Sequence, residues 1–290
     1  MGVNKIVSKL LVQEASVRPF YGALLQLGKQ DIRISRLALE SSLKKRGIVF
    51  SGSSQDNEWM SDTEYFQKLG FSEVCSLDYS DFEGADFAFD MNCRDVPEEL
   101  KGRFDFIFDG GTMEHVFSVP NVFNNIFDML KVGGTIIHFS PVFNHVDHGF
   151  YFFSPTLFRD FYAANGFETK KIFLIKQGFW RSIYSSYLEN APDHEHIRGP
   201  IGFKEGMYLF CVSKKTSAST GSVYPSQGHY LQEWRQDSQT KNKSKFYRTS
   251  IKAKAKRALP SFVYWALREW YVNSIFRRVW INNKINWKRL

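Results

Sequence analysis

The stretch that most limits what this chain can fold into runs from Phe104 to Pro141, FDFIFDGGTMEHVFSVPNVFNNIFDMLKVGGTIIHFSP. Phe104 to Phe108 is an apolar run containing one acid, and it stops at Asp109-Gly110-Gly111. A short run rich in Phe and Ile and closed by glycines predicts a buried strand that delivers Asp109 to its carboxyl end. Val119, Val122, Phe123, Ile126, Phe127 and Leu130 follow at helical spacing, with Pro120 near the start and Gly133-Gly134 past the end. Thr135 to Phe139 predicts another strand, closed by Ser140-Pro141. Strand, helix and strand in this span form a βαβ unit, whose right-handed crossover implies a parallel sheet and an α/β fold.

Upstream, Ala23 to Leu27 predicts a first buried strand closing at Gly28, where the missing Cβ lets the backbone turn tightly and approach a ligand. Glu73 to Asp78 and Ala85 to Asn92 predict two more, the first ending on Asp78 and the second carrying Asp90. Strands ending at Asp78, Asp90 and Asp109 bring three carboxylates to one edge of a parallel sheet. Ligands of open α/β sheets bind at that edge. Residues 5 to 14 read as an amphipathic lead-in helix on the flank, Ile32 to Leu43 as a first crossover helix, and Ser61 or Asp62 as the cap of a helix ending at Leu69-Gly70. Gly28 and Asp78 are 50 residues apart, against about 20 in a dinucleotide-binding unit. The excess reads either as a lid over the pocket mouth or as a surface elaboration. Further on, Ser154-Pro155 opens a helix with Leu157, Phe158, Phe161 and Tyr162 on its apolar stripe. Lys171 to Lys176 and Met207 to Lys214 predict the last two strands, bracketing a loop with His194-Glu195-His196.

Phe104-Asp105-Phe106-Ile107, Glu114-His115-Val116, Leu130-Lys131-Val132-Gly133-Gly134 and Pro141 together resemble the second half of a class I S-adenosylmethionine-dependent methyltransferase. The run His148-Gly149-Phe150-Tyr151-Phe152-Phe153-Ser154-Pro155 is similar to the segment after the fifth strand in many of these enzymes. The resemblance spans residues 20 to 215, with the glycine-rich loop reduced to Gly28. It implies a Rossmann-like sheet of about seven strands, mostly parallel with the last antiparallel, helices on both faces, and S-adenosylmethionine as cofactor. By the same resemblance Leu27, Gly28, Lys29 and Gln30 wrap the methionine part. Asp78, with Tyr79, takes the ribose hydroxyls, and Asp90 takes the adenine amino group beside Met91 and Asn92. Asp109, Gly110 and Gly111 line the remaining edge.

His115 is a candidate general base, since an unperturbed imidazole titrates near neutrality, with Glu114 as a positioning group. Alternatively both hold the loop through hydrogen bonds. His145 and His148 lie over the same sheet edge and are further candidate bases, His148 competing with a purely structural role against Phe150 and Tyr151. With Asp147 they are metal-ligand types, but two imidazoles in one loop fall short of a ligand set, so no metal is expected.

Charge divides the chain. Residues 241–290 hold eight Lys and six Arg against the single acid Glu269, a net +13, which leaves −5 for residues 1–240 of the overall +8. The expected organisation is a methyltransferase-like domain over 1–215, a Ser-, Gln- and Lys-rich linker over 216–250 and a basic, Trp-rich helical tail over 251–290. For the tail, docking on a membrane surface, on a protein partner or on single-stranded nucleic acid are open alternatives. Its separation from the pocket argues against nucleic acid as the methylated substrate. Cys75, Cys93 and Cys211 form no pairwise motif, which fits a reducing compartment. No apolar run is long enough to span a bilayer, so a cytoplasmic chain is expected, peripheral at the inner membrane surface if the tail docks there. The expected activity is methyl transfer to an oxygen or nitrogen of a small molecule or carbohydrate. The rivals are a non-catalytic binding or scaffold protein of the same fold and a nucleic-acid methyltransferase anchored by the tail.

Overall fold

The computed structural model describes residues 2–50, 59–177, 182–186 and 206–228, with isolated positions beyond (230–231, 260, 262–263, 266–267 and 288–289). Strand β1 (Ala23–Leu27) is buried at every position. On one side of it stand β2 (Glu73–Asp78) and then β3 (Phe87–Ala88), on the other β4 (Phe104–Asp109) and β5 (Leu130–Phe143), all parallel. Past β5 come β6 (Glu168–Gln177), β7 (Ser182–Ser186) and β8 (Met207–Lys214). Strand β8 lies between β5 and β6, antiparallel to both, and β7 and β9 (Lys288–Arg289) extend the edge beyond β6. The full order is β3-β2-β1-β4-β5-β8-β6-β7-β9. Its first seven members form the expected Rossmann-like methyltransferase sheet, with β8 as the antiparallel strand. The two edge strands were not anticipated: SIYSS and the dipeptide Lys288-Arg289 are too short to show an apolar alternation.

Helices α1 (Lys5–Val17), α2 (Arg36–Lys45) and α3 (Asp62–Leu69) cover one face. Their Val7, Leu10, Leu11, Leu39, Leu43, Tyr65 and Phe66 share one core with Leu24, Phe106, Phe108, Ile137 and Phe139 of the strands. Side chains alternate along a strand, so Ile136 and His138 face the other side. There α4 (Val119–Met129) and α5 (Pro155–Ala164) bring Phe123, Phe158, Phe161 and Tyr162 together. Each buried Phe contributes roughly 1.5–3 kcal/mol, and the many phenylalanines fill both faces. The ends are capped as their residues predict. Asn4 Oδ1 accepts from the Ile6 and Val7 amides, Ser61 Oγ accepts from Glu64 N, and Gly70 takes the left-handed conformation after α3.

Several expectations change. Helix α1 is a core element, because five of its apolar residues are buried. Helices α2 and α3 pack into that same core, so they belong to the crossover and form no lid. Residues 51–58 of the loop between them lie outside the described residues. The third strand shrinks to Phe87–Ala88. Its predecessor Asp86 accepts from Ser76 N and Oγ (2.7 and 2.9 Å), and the chain turns away where Asp90 Oδ1 accepts from Asn92 N (2.8 Å). Strand β5 starts directly at Leu130, which pairs with Phe104 across an irregularity in the register. The start of the expected linker is pinned: Asn165 Oδ1 accepts from Thr220 Oγ1 and Val223 N, and Lys215 donates to Phe127 O and Leu130 O. The loop bearing His194-Glu195-His196 and nearly all of the tail lie outside the described residues. The chain divides into one unit of residues 1–188, 205–225 and 287–290 and another of 189–204 and 226–286. No described helix is long and apolar enough to cross a membrane.

At the opposite edge from the carboxyl ends of the strands, Asp105 Oδ2 accepts from Ala23 N and from Lys131 Nζ, each at 2.9 Å, joining β1, β4 and β5. Burial pulls its carboxyl upward, but the Lys131 ammonium and the Ala23 amide outweigh it and hold the group below the ordinary 3.8. A lowered folded value means stability that is complete above the unfolded pKa and lost as pH falls through the folded one. Asp105→Ala is expected to cost about 1–3 kcal/mol at neutral pH, seen as a lower denaturation midpoint at unchanged slope. The gap from the parent should close below pH 3.8. A gap that persists in acid would contradict the carboxylate's role.

Candidate active site

Leu77, Leu27, Asp109 and His138 are register partners in one row across β2, β1, β4 and β5. The next residues along, Asp78, Gly28 and Gly110, therefore stand at the carboxyl edge. Ala88 pairs with Asp78, and Asp90 follows two residues later. The three acids thus share one edge, beside the point between β1 and β4 where strand order reverses.

Each acid is engaged differently. Asp109 is fully buried: Oδ1 accepts from Thr112 N (3.0 Å) and Met113 N (3.2 Å), and Oδ2 meets His138 Nδ1 at 2.7 Å. His138, also fully buried, reaches the Tyr162 hydroxyl with Nε2 at 2.6 Å. The Asp109 carboxylate is therefore committed inward, and what it gives the edge is the conformation of Gly110, Gly111 and the turn beyond. Asp78 is half-buried and accepts from Tyr79 N at 2.7 Å, with Tyr79 itself exposed. Asp90 Oδ1 accepts from both the backbone and the side chain of Asn92.

The loop after β1 is fixed by its neighbours. Gly28 has φ +72°, and a Cβ there would lie 2.6 Å from Thr112 Oγ1, which donates to Leu27 O. Glycine is therefore required on two grounds. Gln30 is buried and donates to Leu27 O and Gly28 O, while exposed Lys29 reaches Gly84 O at 2.9 Å. Past β3, Met91 is buried, and Asn125 Nδ2 donates to Met91 O and Cys93 O. Asn121 Nδ2 donates to Asn92 O, and Asn92 Oδ1 accepts from Ser118 N. His138, Asn121 and Asn125 were not singled out from sequence, and Tyr162 was read only as part of an apolar stripe. The available signal was a polar residue inside an apolar strand or helix stripe.

Beyond β4 the chain turns through Met113–His115, and the loop after β5 folds back onto it. Phe150 N and Tyr151 N donate to Glu114 O at 2.8 and 3.3 Å. Glu114 is fully buried, and neither carboxylate oxygen has a hydrogen-bond partner. Burial, and then the charge of Asp109, push its carboxyl up to about 8. His148 Nε2 lies 3.6 Å from Glu114 Oε1, beyond hydrogen-bond reach, and its ring centroid is 5.1 Å from that of His115. Burial lowers the pKa of His115, His145 and His148. The His145 ring lies 4.4 Å from that of Tyr208 and 5.9 Å from that of His148, centroid to centroid. Exposed Phe117 and Phe150 meet edge to face at 5.8 Å beside this cluster.

No protein-family model and no curated protein matches the chain. Among solved structures it is similar to the Burkholderia thailandensis 1,6-didemethyltoxoflavin-N1-methyltransferase, at 13% identity over 72% of this chain and 77% of that one, TM-score 0.38. It is also similar to a SAM dependent methyltransferase from Archaeoglobus fulgidus, at 11% identity over 74% and 95%, TM-score 0.39. A putative S-adenosylmethionine dependent methyltransferase from Listeria monocytogenes aligns at 10% identity over 73% and 99%, TM-score 0.40. Similarity at this level transfers no residue role and no substrate.

Tyr162→Phe removes one hydroxyl and leaves His138 Nε2 buried without a partner. It should destabilise the domain by about 1–3 kcal/mol, measured by denaturant unfolding. A change within error would mean the Asp109–His138–Tyr162 chain carries no weight.

Proposed function

We propose that the chain transfers the methyl group of S-adenosylmethionine to an oxygen or nitrogen of a small molecule or sugar. The observation that carries this reading is the shared carboxyl edge: Gly28, Asp78 and Asp90 stand on it around the strand-order reversal, with the loops of β1, β3 and β4 locked to one another. Leu27, Gly28, Lys29 and Gln30 would border the methionine part, Asp78 and Tyr79 the ribose, and Asp90, Met91 and Asn92 the adenine. Gly110, whose missing Cβ makes way for the Gln30 side chain, and Gly111 would shape the edge beside the buried Asp109.

The reaction asks for alignment more than for chemistry from the protein. A lone pair of the acceptor attacks the methyl carbon in line with the carbon–sulfur bond. That bond's electron pair returns to sulfur as a neutral thioether, and the acceptor gives up its proton. His115, His145 and His148 sit past the ends of β4 and β5, where one of them would receive that proton, with Glu114 as a positioning group. The charge of −5 over residues 1–240 fits a cationic sulfonium better than a polyanionic nucleic acid.

Asp78→Ala should weaken S-adenosylhomocysteine binding by about 10–100-fold, the loss expected for charge-assisted hydrogen bonds to the ribose, with an unchanged melting profile. Calorimetry reads it directly. Unchanged affinity would sink the ribose assignment, and no binding by the parent protein at millimolar ligand would favour a non-catalytic binding protein instead.

A further inference from the structure

The cluster of Glu114, His115 and His148 has features that the methyl-transfer reading does not use. One ligand-type atom from each lies within 4.8 Å of the others. Glu114 is 0% exposed, and both of its oxygens lack a hydrogen-bond partner, as does His148 Nε2. A buried acid with neither oxygen met by a donor either keeps its proton or forfeits its hydrogen bonds, and native proteins rarely leave both oxygens so without a bound partner. Neighbouring side chains do not supply one. The 3.6 Å between Glu114 Oε1 and His148 Nε2 is too long for a hydrogen bond. It is close to the ~3.4 Å that separates two ligand atoms bonded at about 2.1 Å to one tetrahedral ion.

The two segments come from different strand ends yet are held together, by backbone bonds and by Tyr151 Oη donating to Phe117 O at 2.8 Å beside the Phe117–Phe150 ring contact. Phe150 N and Tyr151 N donate to Glu114 O, and His148 N donates to His145 O. Gly149 lies so close that a Cβ there would stand 2.9 Å from Glu114 O and 3.2 Å from Glu114 Cγ. The loop is shaped to lie against Glu114 and carries His148 to it.

We infer that Glu114, His115 and His148 bind one divalent transition-metal ion, leaving coordination positions open to the acceptor. Two imidazoles and one carboxylate favour zinc, cobalt, manganese or iron over magnesium or calcium, which take mostly oxygen ligands. Three protein ligands are the number of an open, substrate-accepting site. Resting on the methyl-transfer reading, the acceptor class narrows to compounds that present a hydroxyl, or two adjacent ones, to the ion. Coordination would hold the attacking oxygen and favour loss of its proton. The site differs from the His145–Asp147–His148 grouping that the sequence brings to mind, because Asp147 is exposed and His145 turns toward Tyr208.

The test uses tag-free full-length protein, stripped with chelator and titrated with cobalt(II) chloride, followed by visible absorption and by metal-to-protein ratio after gel filtration. One equivalent should be retained with a visible ligand-field band. Glu114→Gln and His148→Ala should each weaken binding at least tenfold while circular dichroism stays that of the parent. Asp78→Ala should bind the metal as the parent does, which separates this site from the cofactor edge. No retained cobalt or zinc in the parent at 100-fold excess, or undiminished binding in both cluster variants, would overturn the inference even if S-adenosylhomocysteine binds. If S-adenosylhomocysteine fails to bind while the metal ratio remains one, the metal site stands and the transferase reading falls.

Discussion

A carboxylate with no exposed surface sets the geometry on which the rest depends. Withdrawing Asp109 from water costs several kcal/mol unless each oxygen is met, and here each is: one by the amides of Thr112 and Met113, the other by His138. Those bonds impose the turn after β4 and so determine where Glu114 and His115 begin. Through His138 and Tyr162 they also tie that turn to β5 and α5. Thr112, held by Asp109, reaches back to Leu27 O and presses on Gly28. One buried acid thereby coordinates the loops after β1 and β4, and the edge responds as a unit.

Sequence made the interior of this fold legible and its connections less so. Strands β1, β2 and β4 and helices α4 and α5 were found at nearly their observed bounds, since apolar runs and 3.6-residue stripes report burial directly. The third strand proved shorter than expected because acids act at both of its ends: Asp86 before it accepts from Ser76 of β2, and Asp90 after it bonds locally to Asn92 and turns the chain away. Helix α1 looked peripheral because a stripe shows only that one face is apolar and not how deeply it sinks. The edge acids were legible as strand ends. The inward commitment of Asp109 was not, because it depends on His138, 29 residues away.

The polar cluster shows the same limit more sharply. Neighbours in sequence drew attention to His145, Asp147 and His148, whereas the fold joins His148 to Glu114 and His115 across two loops. That joining is done by amides donating to Glu114 O, and backbone bonds leave no mark in side-chain identity. Gly149 is the exception, a glycine whose necessity comes from close approach and not from its torsion angle.

The two halves of the edge are built differently, and the difference bears on what each can change. The half with Gly28, Asp78 and Asp90 is held by side chains reaching backbone, as with Thr112 to Leu27, Lys29 to Gly84 and Asn125 to Met91, so single substitutions there disturb more than one loop. The half with His148 is a loop shaped by two left-handed residues, Asn144 and Asp147 at φ 62° and 60°. These are side-chain types that tolerate the region. Its outward residues, Val146, Phe150 and Phe152, are exposed and make no hydrogen bond to the Glu114 turn through their side chains. They can vary while Gly149 and the amides behind it keep His148 in place. The aromatic rim, with Phe117 beside Phe150, presents flat apolar faces, and the cluster of buried Glu114, half-buried His148 and exposed His115 presents polar atoms beside it. Under the proposed methyl transfer, the rim would select the acceptor and the turn after β4 would hold the atoms that meet it.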